Sequence, residues 1–455
     1  MNMKRIAVCI PALAASAVCL VAGPVPNEVY QKLWNDPAVS RRIEDGIRTN
    51  RMSEVVLKFA GTNGQFMSNV TVQVEQTRHE FLFGANSFML GGFPTPAQNR
   101  QYETAFLSLL NYATVPFYWS DLEPEPGKPR FAKDSPPIYR RPPPDAVVEF
   151  CRQHGLAMKG HPLVWHQWYP KWRPDDPQDA MTRIEQRITE IAARYGGTIP
   201  RWEVVNEPME RQKYADKWCN LPEGYVLRSL HVAAKTFPAE TRLMLNEATT
   251  FSWLEFQGKK SPYYQLIREM IEGGARVDEI GLQLHIFSEQ AWQRSQAGKQ
   301  FTPTDLFQVL DQYSDFQRPL HITEITIPAL PDGPDGERDQ AIVARNFYRL
   351  WFSHPRVEAI TWWNLVDGTA AKGEDKWHAG LLHQDFSPKP AFTALDQLIN
   401  HDWRTVFNTN SAGCNEVAFR GFHGEYNVTA KSGGNTVKQT FRLQKGAPNE
   451  WIIKF

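Results

Sequence analysis

From about residue 80 the chain alternates between two hydrophobic rhythms. Short β-branched and aromatic runs occupy 80–88 (EFLFGANSF), 112–119 (YATVPFYW), 156–165 (LAMKGHPLVW), 201–208 (RWEVVNEP), 241–249 (TRLMLNEAT), 279–287 (EIGLQLHIF), 319–327 (PLHITEITI) and 358–366 (EAITWWNLV). Between them lie amphipathic stretches with apolar residues every three or four positions, such as DAMTRIEQRITEIAARYGG and RDQAIVARNFYRLWF. The first of these stops at Gly-Gly, a good helix stop. Eight strands alternating with helices predict an α/β fold, a (β/α)8 barrel over 80–401. A doubly wound open sheet is the competing solution. It normally carries a glycine-rich first turn, and no Gly-x-Gly-x-x-Gly follows the first run.

The two flanks follow a different period. Residues 55–76 alternate apolar and polar, break at Thr62-Asn63-Gly64, and alternate again, which predicts a hairpin. Residues 415–455 alternate likewise, with a tight-turn signal at Ser432-Gly433-Gly434-Asn435. Two strands alone cannot bury a core. The flanks 24–79 and 402–455 are therefore expected to combine into one small accessory β-domain. At the N-terminus, Lys4 and Arg5 precede an apolar run from Ile6 to Ala22, followed by Gly23. That is the pattern of a secretory signal peptide over 1–23, giving a secreted or periplasmic protein with no membrane attachment after cleavage. Cleavage would leave Cys151, Cys219 and Cys414, three cysteines that make no disulfide framework, with one bridge and a free thiol or three buried thiols both open.

Charge narrows the function. Fifty basic residues balance fifty acidic ones, so nothing points to nucleic acid or to an anionic membrane surface. Fifteen Trp, fourteen Tyr and twenty-six Phe are mostly core, but such rings also serve sugar clefts as flat platforms.

Chemistry in a (β/α)8 barrel gathers at the C-terminal ends of the strands. There the chain places His161, Trp165 and His166; Asn206 and Glu207; Asn246 and Glu247; Gln283 and His285; Glu324; and Trp363 and Asn364. Asn206-Glu207-Pro208 alone reads equally as a solvated strand end, since proline stops the strand. His161 and His166 alone read as packing residues. A metal site is disfavoured because these two histidines, five apart on an extended stretch, point to opposite faces. No metal or organic cofactor is implied. Two carboxylates facing one pocket are the minimum kit for breaking a glycosidic bond, one protonated and one ionised. Asn206 is placed to bond a sugar hydroxyl, and His285 to hold Glu324 ionised in one rotamer.

These motifs together resemble glycoside hydrolase family 10, the family of retaining endo-β-1,4-xylanases. The likeness runs from about 80 to 400. It rests on Trp202 to Glu207 (WEVVNE), on HITEI with Glu324, on Gly160 to His166 (GHPLVWH), on Gly281 to His285 (GLQLH), on Trp363 and on GLLHQDFSPKPAF. The resemblance implies Glu207 as acid/base and Glu324 as nucleophile, with His161, Trp165, His166, Asn206, Asn246, Gln283, His285, Trp363 and Trp377 binding or supporting substrate. It also shows departures. Where the family has an Asn and a Lys for the second sugar on the non-reducing side, this chain has Val115 and Tyr118. Trp168 stands where a Gln is usual, Gln167 comes one position early, and the loop 367–377 is longer. The expected function is a secreted retaining glycosidase acting on a β-1,4-linked plant polysaccharide, xylan first. A different or decorated β-glycan is the alternative, and a non-catalytic glycan-binding barrel a third class. The partner is an oligo- or polysaccharide. Oligomeric state, and internal against terminal attack, are not set by the sequence.

Overall fold

Alternation in the first flank becomes two strands, β1 (Met52–Ala60) and β2 (Thr71–His79). They open the β structure of a computed structural model that describes residues 26–213 and 221–455. The leader expected over 1–23 and Cys219 lie outside the described residues.

Each of the eight apolar runs then yields a strand. These are β3 (Leu82–Asn86), β4 (Tyr112–Pro116), β5 (Ala157–His161) with β6 (Val164–Trp165), β7 (Arg201–Asn206), β8 (Arg242–Glu247), β9 (Glu279–His285), β10 (Leu320–Thr326) and β11 (Val357–Trp362). β5 and β6 are pieces of one run, interrupted at Pro162, which has no N–H for a ladder. The strands pair in parallel in the order β5-β4-β3-β11-β10-β9-β8-β7-β6, and β5 also meets β7, which closes the ring. The fold is the expected (β/α)8 barrel. The helix Pro177–Tyr195 shows the local logic: Asp176 caps the N–H groups of Gln178 and Asp179, and the helix ends at Gly196. Two motif glycines are packing requirements. A Cβ at Gly160 would collide with the Trp202 ring, and one at Gly281 with the Asn246 amide.

Five more strands follow: β12 (Val406–Asn410), β13 (Glu416–Phe422), β14 (Gly424–Ser432), β15 (Asn435–Leu443) and β16 (Glu450–Lys454). Here the hairpin expectation over 55–76 is corrected. β1 lies in a three-stranded sheet, β13-β1-β16, and β2 in a four-stranded sheet, β12-β2-β14-β15. The two strands face each other through one core instead of sharing a ladder. Val55, Leu57 and Phe59 from β1 meet Val72 and Val74 from β2, with Tyr426, Val428, Trp451 and Ile453. A single hairpin would have left each apolar row without a facing layer.

The chain divides into two units, residues 47–80 with 403–455, and 26–46 with 81–402. The flank boundary expected at 24–79 therefore shifts: 26–46 group with the barrel. The physical cause is the helix Glu28–Trp34, whose buried Tyr30 takes a bond from Asn346 and whose Trp34 packs 5.7 Å from Phe347.

Candidate active site

β7 and β10 deliver the two glutamates, and both strands depart from regular register just before them. The pairing of β7 with β8 shifts between Glu203 and Val205, and that of β10 with β9 shifts between Ile322 and Glu324. Such bulges re-aim side chains. Glu207 itself sits at φ 52°, in the left-handed region. Glutamate holds that conformation only when its surroundings enforce it. Pro208 opens the next helix immediately afterwards. Glu247, fully buried at the end of β8, accepts from the N–H of Met209 at 2.9 Å and so pins the segment after Glu207.

One side chain joins the pair. The Gln283 Nε2 lies 3.0 Å from Glu207 Oε1 and 3.0 Å from Glu324 Oε1, so these two oxygens are no more than twice that distance apart. Glu207 Oε2 also accepts from Trp165 Nε1 at 3.0 Å and from Gln167 Nε2 at 3.4 Å. Glu324 Oε1 accepts from Asn246 Nδ2 at 3.0 Å, and its Oε2 lies 3.3 Å from His285 Nε2. The Asn246 amide has its orientation set from behind, since the Thr323 hydroxyl donates to its Oδ1. Asn206 Oδ1 accepts from Asn246 and Gln283, at 3.0 and 3.1 Å.

Burial pushes both carboxyls up, each to about 8. The expected difference between one protonated and one ionised carboxyl does not come from burial: Glu324 is only 3% exposed and suffers the same desolvation. Their surroundings still differ. After burial, the largest influence on Glu207 is the negative Glu324, which raises it further. After burial, the largest influence on Glu324 is His161, which lowers it, and Lys159 acts in the same direction. Glu203 opposes them and raises Glu324, so the neighbours of Glu324 pull both ways, whereas the nearest charge on Glu207 only raises it. Burial lowers His285 to about 4, so the ring is neutral, with Nδ1 held by Thr326 Oγ1 at 2.7 Å. It steers Glu324 by a hydrogen bond and not by charge.

Beneath Glu324 lies a group that the sequence reading passed over. Lys159 Nζ is 3.0 Å from Glu203 Oε2, and His161 Nδ1 is 2.8 Å from Glu203 Oε1. An acid and a lysine at mid-strand positions of otherwise apolar neighbouring runs were the available signal. His161, Glu203 and Glu324 offer metal-type ligand atoms within 4.8 Å of one another. A cation there would face the Lys159 ammonium, which already neutralises Glu203, so the residues present fit a metal poorly.

The remaining candidates sort by place. Trp363 packs edge-on to His161 at 5.4 Å and to His285 at 6.1 Å, while Trp362 turns outward to Tyr348. Tyr118 places its hydroxyl 3.1 Å from His161 Nε2. Trp168 stacks on Trp165 at 5.0 Å with planes 3° apart. His166 is buried and edge-on to Trp165. Trp377 is one step removed: it packs at 6.4 Å on Phe287, which stacks on His285 at 4.7 Å. Asn364 is engaged by Arg140 at 2.8 Å. Val115 is buried in the β4 ladder opposite Gly160. Phe88, Arg140 and Arg141 also line this rim and carried no motif in the sequence.

The chain is 24% identical over 418 residues to the anti-sigma-I factor RsgI6 of Acetivibrio thermocellus, covering 91% of this chain and 49% of that protein. It is 24% identical over 418 residues to endo-1,4-beta-xylanase 2 of Arabidopsis thaliana, covering 89% and 35%. The chain thus spans about half, or less, of the length of these relatives. Among solved structures, xylanase 10B from Thermotoga petrophila RKU-1 in complex with xylobiose superposes with a TM-score of 0.56 at 20% identity, over 71% of this chain and 95% of that one. The family profile described as glycosyl hydrolase family 10 matches residues 120–398, which takes in both glutamates and every strand from β5 to β11, and the chain belongs to that family.

Proposed function

We propose that this protein is a retaining β-glycosidase that cleaves β-1,4 linkages of a plant polysaccharide, with xylan as the first substrate to test. The carrying observation is the Gln283 bridge. Two carboxylates whose facing oxygens share one donor, each 3.0 Å from it, support the retaining separation of about 5–5.5 Å over the gap of about 6.5–9.5 Å that an inverting enzyme needs. In the first step Glu324 attacks the anomeric carbon, a C–O bond forms to its carboxylate, and Glu207 gives its proton to the departing oxygen. Once Glu324 is esterified its charge is gone, so the Glu207 carboxylate that remains is no longer opposed. In the second step Glu207 takes a proton from water, water attacks the same carbon, and Glu324 leaves ionised. Two inversions give net retention. The Gln283 and Asn246 amides keep Glu324 aimed throughout.

Xylan is supported by the curated relatives named as xylanases and by a neighbour solved with xylobiose. A decorated or different β-glycan is the second reading. It is favoured by Tyr118, whose aromatic ring and hydroxyl stand where the family carries a lysine. An oligo- or polysaccharide substrate outside the cytoplasm suits the N-terminal pattern. Among the described residues no helix is long and apolar enough to cross a membrane. The test is proton NMR of the first anomer released from β-linked oligosaccharides. The β-anomer is expected, and the α-anomer would overturn retention.

A further inference from the structure

The two glutamates divide the barrel mouth. On one side stand β8 and β9, with Asn246, Gln283 and His285. On the other stand β11, β3, β4 and the β5–β6 run, and that side is filled. Phe88, Tyr118 and Trp363 form one buried cluster, with Trp165 and Trp168 packed on it. Tyr118 is 5% exposed, and its hydroxyl engages His161 at the level of the nucleophile.

The loop between the helices Trp119–Leu122 and Pro144–Gln153 is strapped across this cluster. Arg130 folds the loop on itself, with Nη1 donating to Asp121 O at 2.8 Å and Nε to Pro136 O at 2.9 Å. Arg140 sits at φ 61°, in the left-handed region, and both guanidiniums lie near the Phe88 ring, at 5.5 and 5.3 Å from its centre. That of Arg140 reaches the segment after β11, donating to Asn364 Oδ1 at 2.8 Å and to the Thr369 carbonyl. That of Arg141 lies over the Tyr118 ring, 3.6 Å from its centre. Arg141 Nε also pairs with Asp121 Oδ2 at 3.0 Å, and the same oxygen accepts from Trp168 Nε1 at 3.0 Å. The Arg141 side chain is only 11% exposed. The strap is thus tied to the segment after β11, to Tyr118 and, through Asp121, to Trp168. A sugar chain continuing past the glutamates on this side would have to displace a cation from an aromatic face and a tyrosine from a histidine.

Resting on the glycosidase reading above, we infer that the Arg140–Arg141 strap stops the substrate groove on this side, so that the site takes a chain end and removes terminal units instead of cutting internally. Arg140 and Arg141 are the specificity-determining residues: they touch the stop, not the reacting bond.

The experiment uses the full chain with three linear β-1,4 hexaoses, of xylose, mannose and glucose, each tagged with 2-aminobenzamide at the reducing end. Early time points are separated by length. A hexaose that is turned over should give one labelled product and its complement, from a cut at one terminal position. On linear xylan, viscosity should fall slowly for each reducing end formed. The Arg140→Ala/Arg141→Ala variant, checked for folding by thermal melting, should spread the labelled products into a ladder, with internal cuts up at least fivefold relative to terminal ones. An Arg141→Lys variant, which keeps charge but loses the guanidinium over the ring, should fall between. A ladder from the wild type would overturn the inference while leaving the glycosidase reading intact. A folded double variant with an unchanged product pattern would overturn the assignment to the strap. No turnover of any hexaose or of 4-nitrophenyl β-D-xyloside would sink the glycosidase reading and this inference with it.

Discussion

Lys159 and Glu203 form a buried ion pair at 3.0 Å, one strand apart, with side chains 1% and 0% exposed. Its position gives it a second task, because the Lys159 charge also acts on Glu324 and favours its ionised form. Removing one partner of such a pair leaves an uncompensated charge in the interior. Lys159→Met is expected to cost about 3–5 kcal/mol of stability, measured by urea unfolding at pH 7. Lys159→Met/Glu203→Gln should recover a large part of that loss. Full additivity of the two changes would show that the pair is not coupled.

The pH dependence of kcat/KM should follow from the glutamate pair. On the proposed mechanism, turnover needs Glu324 ionised and Glu207 protonated. As pH rises through about 8, Glu207 loses its proton and the rate should fall. As pH drops, the charge on Glu324 is lost and the rate should fall again. The two apparent constants belong to the pair, not to either residue alone. Gln283 donates to Glu207 and holds its pKa down, so Gln283→Leu should move the basic limb to higher pH. A basic limb that stays in place would remove Gln283 from the proton balance.

The division of roles can be read by rescue. Glu207→Ala should spare the first step for substrates with a good leaving group, such as 2,4-dinitrophenyl glycosides. Added azide should then restore turnover and yield a β-glycosyl azide. Glu324→Ala should lose about 10⁴-fold or more in kcat on every substrate. With Glu324→Ala, rescue should produce an α-glycosyl azide. The opposite pairing of anomer and variant would reverse the assignment.

In the β-sandwich unit, Trp451 is 5% exposed and stacks on Phe441 at 4.6 Å with planes 5° apart. It packs in the core with Tyr426, Val428 and Val55. Trp451→Ala is expected to cost that unit about 3–5 kcal/mol. Hydrogen exchange of β1, β14 and β16 should rise together, because all three strands feed one core. Exchange confined to β16 would mean that the two sheets are not cooperatively packed.

What the sequence determined by itself was mostly local. Eight β-rich runs separated by helical stretches were enough for a closed parallel barrel, because alternation of strand and helix leaves few ways to cover both faces of a sheet. The rim positions of Glu207, Glu324, Gln283, His285 and Trp363 followed, since strand ends in such a barrel converge on one mouth. Period-2 alternation in the flanks fixed which faces are apolar. It did not fix partners, and β1 and β2 went to different sheets because an apolar face is satisfied by any layer that covers it. Residues 26–46 were missed for a related reason: the place of Tyr30 and Trp34 depends on Asn346 and Phe347, some three hundred residues away. Only the tertiary structure decided how the carboxylates meet. The bulges in β7 and β10, the left-handed turn at Glu207 and the shared Gln283 donor arise from packing between strands that are distant in sequence. The same holds for Lys159 with Glu203, and for the strap that lays Arg141 on Tyr118. Spacing along a chain tells which side chains share a face. It cannot tell which of them touch across a closed ring.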